Sequence, residues 1–92
     1  MDIYSQIAEK IIRHQETIIG PVAIEQAQQI PNLKLDWSKH EVNITGDGSV
    51  VIDKLVEQYK ELFGQISVEV CREAAGSLID SLPAGKQPKT LE

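Results

Sequence analysis

The chain has 92 residues, 41% of them hydrophobic and 25% charged, with a formal net charge of -5 and a pI of about 4.9. One domain fits that length, and so short a chain buries only about 60 to 70% of the surface it exposes when unfolded, which leaves a thin margin of stability. The acidic balance, with no run of Lys or Arg, opposes phosphate backbones and anionic membrane faces, so neither nucleic acid nor membrane is an expected partner.

The aromatic residues are Tyr4, Trp37, Tyr59 and Phe63, so the core must be built from Ile, Val, Leu and Ala, and no stacking platform for bases is in prospect. The apolar runs are far shorter than the ~20 residues that cross a bilayer. Met1-Asp2-Ile3-Tyr4-Ser5 turns polar at once, unlike a secretory leader, and the lone Cys71 has no partner for an internal disulfide. A cytoplasmic location is expected on those grounds.

Asp2 announces the first helix as its N-cap, followed by Ile3, Ile7, Ile11 and Ile18 with Tyr4, Ala8, Ile12 and Ile19 beside them, at helical spacing. Gly20-Pro21 ends it, and Pro21 suits the first turn of a second helix through Val22, Ala23, Ile24, Ala27 and Ile30, which stops before Pro31. The period then changes. Leu33, Leu35 and Trp37 alternate with polar residues, and the alternation resumes at Val42 and Ile44, predicting a β-hairpin with Trp37 at the end of its first strand. Two strands alone are marginal in water, so the hairpin must lie on the helices or extend a partner's sheet.

Thr45-Gly46-Asp47-Gly48 reads as a turn and Ser49 as the cap of a third helix. Ile52, Leu55, Val56, Tyr59, Leu62, Phe63 and Ile66 keep an unbroken helical rhythm. At Gly64 the pattern admits two continuations. One helix from Ser49 to Leu82 would be ~50 Å long and would protrude from a globule whose radius of gyration is ~12 Å. A break at Gly64, with Ser67 as a new N-cap and Ile66 against Cys71 as a staple, lets the halves fold back. Ile66, Val68 and Val70 also alternate as a strand would, but the longer helical pattern outweighs them. Pro83 stops the last helix. Residues 84–92 form a polar tail with nothing to bury, and Leu91-Glu92 resembles a vector-derived junction, leaving 1–83 as the domain.

The fold class is therefore α+β: about four helices and one two-stranded antiparallel hairpin, helix-dominated, with a long C-terminal amphipathic helix or helical hairpin. The apolar stripe of its second half exceeds what so short a chain hides unaided, so a homodimer or another protein partner is expected. Leu55, Tyr59, Leu62, Phe63, Ile66 and Val70 should carry the contacts, with Trp37 as a further anchor.

No residues assemble into a reaction centre, so no enzyme and no cofactor are expected. His14, His40 and Cys71 lie in three elements without metal-ligand spacing. The Asn43, Thr45, Asp47, Gly48 series starts like a calcium loop but has Lys54 where the twelfth-position Glu belongs. His14 stands where the first helix's stripe calls for another Ile. The run His14-Gln15-Glu16-Thr17 resembles one turn of histidine-kinase dimerisation helices, but the proline is displaced and no ATP-binding domain fits the length. Thr17 also replaces the Lys of phosphotransfer modules. A hydrogen-bonded histidine at the rim of the core is the expectation for His14. The alternative function is a small-molecule sensor with an apolar pocket between hairpin and helices, gripped by His14 or Trp37, and a phosphotransfer module acting through His14 ranks third.

Overall fold

The Asp2 carboxylate accepts the Ser5 N–H at 2.8 Å, and in the computed structural model, which describes residues 1–92, helix α1 runs from there over Ile3–Ile19. Its inner face buries Ile7, Ala8, Ile11 and Ile12 completely. Gly20, at φ 73, returns its N–H to the Glu16 carbonyl and ends the helix. Pro21 then opens α2, Val22–Gln28, whose small Ala23 and Ala27 let it sit close against the core.

Strands β1 (Leu33–Asp36) and β2 (Glu41–Ile44) form the hairpin, antiparallel, with Leu33 opposite Ile44 and Leu35 opposite Val42. Trp37 is not the last residue of the strand: it begins a 3-10 turn, Trp37–Lys39, which His40 closes in a left-handed conformation at φ 52. This device replaces the Asn-Gly turn that the sequence lacks. Leu33 and Val42 are buried, and the hairpin lies on the helices. The outer edge of β2 is closed off by α1's beginning, since Val42 N–H meets Met1 Sδ at 3.4 Å and Ile44 N–H donates to Ser5 Oγ at 3.3 Å.

Helix α3 spans Gly48–Phe63, and its cap is Asp47 rather than Ser49. The Asp47 carboxylate accepts the N–H groups of Ser49 (3.0 Å) and Val50 (3.4 Å) and the Ser49 hydroxyl (2.9 Å). A negative charge at the positive end of a helix outcompetes a neutral hydroxyl for that position. Gly48 faces Tyr4 so closely that a Cβ would come within 2.7 Å of the Tyr4 Cβ and overlap its ring.

The chain breaks at Gly64, whose φ of 83 and ψ of -172 no other residue type adopts readily, and α4 follows at once over Gln65–Ala75. Residues 66 to 70 are thus helical. Ser67 is no N-cap but is buried inside the first turn, because α4 begins two residues before it. The Ile66–Cys71 staple does not form either: Cys71 is fully buried while Ile66 is 69% exposed. Gly76, at φ 48, stops α4 short of Leu82 and re-aims a single turn, α5 (Ser77–Asp80), which brings Ile79 onto the core.

Residues 84–92 are not a loose tail. Pro88 and Leu91 are buried, and Asp53 of α3 accepts the Thr90 N–H (2.9 Å), the Thr90 hydroxyl (2.7 Å) and the Lys89 N–H (3.3 Å). Gln87 donates to the Ile79 and Leu82 carbonyls at 3.1 Å each, and the Tyr4 hydroxyl donates to the Lys86 carbonyl at 2.7 Å. The fold is α+β and helix-dominated, with five helices and one two-stranded antiparallel sheet. Its radius of gyration is 11.6 Å, so no helix projects, and its surface of 5097 Å² is close to the ~5300 Å² of a compact monomer of this mass. No helix is long and apolar enough to cross a membrane.

Candidate functional site

Four helix ends meet at one pole of the bundle. Near the end of α1, Gln15 is buried and donates through Nε2 to the Ser67 carbonyl (3.1 Å) and to Cys71 Sγ (3.4 Å), pinning the start of α4 beside it. In α3 the buried Tyr59 donates its hydroxyl to the Ala23 carbonyl at 2.7 Å, and Gln58 donates to Gln26 at 2.6 Å, which ties the last turns of α3 to α2. Beyond these ties the apolar stripes run out past the packed core. Ile18 (62% exposed), Val22, Leu62 (51%), Phe63 and Ile66 (69%) lie open there, with Ile19 half-buried beside them. Together the five present roughly 500 Å² of apolar surface, the size of the largest patch on a typical monomer and often a functional one.

The residues expected to form the contact surface therefore divide. Leu55 and Tyr59 are fully buried core residues and cannot reach a partner, because the fold-back at Gly64 covers that part of the stripe with α4 and α1. Leu62, Phe63 and Ile66 are exposed and adjacent to the break, and Val70 is half-buried one turn further on. Trp37 lies apart from them on the hairpin turn. It is half-buried, stacked on His40 at 4.6 Å between ring centroids, with its indole N–H donating to Glu16 at 3.1 Å. Ile18 and Val22 were missed, since the α1 and α2 patterns mark an inner face without showing where its covering ends.

His14 is not at the rim of the core. It is exposed, with Nδ1 on the Lys10 carbonyl at 2.9 Å, since four residues earlier on the same helix is its nearest acceptor. Burial pushes the Cys71 thiol up to about 11, only partly opposed by the Gln15 amide, which leaves no thiolate at neutral pH. The molecule's one cleft, of about 330 Å³, is neither apolar nor between hairpin and helices: Tyr4, Gly46, Asp47, Gly48, Ser49, Gly85 and Lys86 line it. The Asp47 carboxylate holds the amides that a bound anion would need. Its bonds to the Ser49 hydroxyl and the Val50 N–H keep it below the usual carboxylate range. No three His, Cys, Asp or Glu side chains converge on a point that would hold a metal.

No family model matches the chain, and neither a curated protein nor a solved structure matches it significantly.

Proposed function

We propose that the chain is a cytoplasmic protein-interaction module, without a reaction of its own, that works by burying the apolar pole of its bundle against another chain, a second copy being the occupant. One observation carries the reading: Ile18, Val22, Leu62, Phe63 and Ile66 are exposed together where four helix ends converge. Two such poles face to face would bury about 1,000 Å², the lower limit for a specific interface, so the association is reversible. The single chain's surface, close to that of a compact monomer, supports an association that is gained and lost without unfolding.

The test is sedimentation velocity with light scattering, comparing the native chain with Ile66→Glu. At high micromolar concentration the native chain should rise above its 10.2 kDa mass, and Ile66→Glu should stay markedly closer to that mass at every concentration, with an unchanged circular dichroism spectrum. A native chain that stays monomeric at about 1 mM, a concentration at which even ~4 kcal/mol of affinity registers, refutes the proposal. So does a variant that dimerises as well as the parent.

A further inference from the structure

The two edges of the hairpin are treated differently. Val42 and Ile44 point their N–H groups away from β1, to Met1 Sδ and Ser5 Oγ. In an antiparallel ladder the residues opposite them must then also point outward, so the Leu35 N–H and C=O, and the Leu33 C=O, face away from β2. No strand lies on that side of β1, because the sheet has two strands only. The Leu33 N–H is already spent on the Ile30 carbonyl, and nothing in the chain takes up the Leu35 amide. Lys34 and Asp36, flanking it, are exposed. An open edge of this kind is a template for another strand.

We propose that β1 pairs edge to edge with β1 of a second copy, antiparallel, about a two-fold axis through Leu35, making a four-stranded sheet across two chains. The backbone parity fixes this register: Leu35 must be a mutually hydrogen-bonded pair, since its outward N–H and C=O are the groups on offer. In that register Lys34 of each copy stands directly opposite Asp36 of the other, two ion pairs on one face. The segment Leu33-Lys34-Leu35-Asp36 is thus complementary to itself in charge as well as in hydrogen bonding, which is what selects a second copy over an unrelated peptide.

This pairing does not rest on the apolar pole; with both surfaces active, copies would join into strings, as two self-complementary faces on one chain must. The test therefore uses Ile66→Glu as its background, in which the pole is disabled. Sedimentation equilibrium should show a dimer whose dissociation constant rises about tenfold on Lys34→Asp, which sets like charges opposite one another twice. Mixing Lys34→Asp with Asp36→Lys, or combining both changes in one chain, should restore the association. Exchange of the Leu35 amide should slow as protein concentration rises. Absence of association up to about 1 mM, association indifferent to the charge reversal, or a Leu35 amide whose exchange ignores concentration would each overturn the proposal.

Discussion

Two ionisable groups, Cys71 and Tyr59, are fully buried in the core with no countercharge, and their removal from water has a measurable consequence at high pH. Burial raises the Cys71 thiol from its ordinary 9.0 to about 11, and raises the Tyr59 phenol above its ordinary 10.0, with nearby Cys71 adding to the effect. Both groups are neutral when folded, so the unfolded chain gives up these protons first as pH climbs. The stability they allow is complete below pH ~9 and is lost above it, at about 1.4 kcal/mol per pH unit for each group past its unfolded value. By pH 11 the thiol alone accounts for about 2 kcal/mol and the phenol for about 1 kcal/mol more. That is a large share of the roughly 5 to 14 kcal/mol available to a domain of this size. Urea unfolding followed by circular dichroism from pH 7 to pH 11 measures the slope. In Cys71→Ala the decline should be delayed, and in Cys71→Ala with Tyr59→Phe most of it should disappear, leaving the smaller contribution of Tyr4, which is raised by partial burial and by Asp47. Tyr59→Phe should also cost about 1 kcal/mol at pH 7 through the lost bond to the Ala23 carbonyl. A double variant that declines as steeply as the native chain would refute the reasoning.

Leu55→Ala should destabilise the chain by about 2 to 5 kcal/mol, whereas Leu62→Ala should stay within about 0.5 kcal/mol, because one side chain is buried and the other open; denaturant midpoints separate them. Gly48→Ala drives a methyl group into Tyr4 and should cost about 1 to 3 kcal/mol, with much of the penalty relieved in a Tyr4→Ala background. Asp53→Ala removes all three acceptor contacts to Lys89 and Thr90, and proteolysis should then clip residues 84–92 while α1 to α4 remain intact by circular dichroism.

The architecture was legible wherever a local signal sufficed. Asp2, the Gly20-Pro21 pair, the switch from helical to alternating spacing at Leu33 and the break at Gly64 all act within a turn or two of themselves, and each stands where its chemistry places it. What escaped depends on distant residues. Whether 84–92 pack is decided by Asp53 on α3, and whether Leu55 faces a partner or the core is decided by α4 folding back over it. Nothing local to either segment carries that information. The pole was half legible for the same reason: periodicity picks out Leu62, Phe63 and Ile66 as apolar, while the uncovering of Ile18 and Val22 depends on where neighbouring helices stop. The choice between Ser49 and Asp47 as cap was local, yet it turned on charge against a neutral hydroxyl two residues apart.

The placement of Trp37 also governs what an optical probe of this chain will report. The sole indole sits on the hairpin turn, half-buried at the edge of the core, stacked on an imidazole and bonded to a carboxylate of α1, so its emission tracks the parting of the hairpin from α1 rather than the melting of helix backbone. Fluorescence and far-ultraviolet ellipticity traces that separate on heating would then measure the hairpin's independence from the rest of the fold.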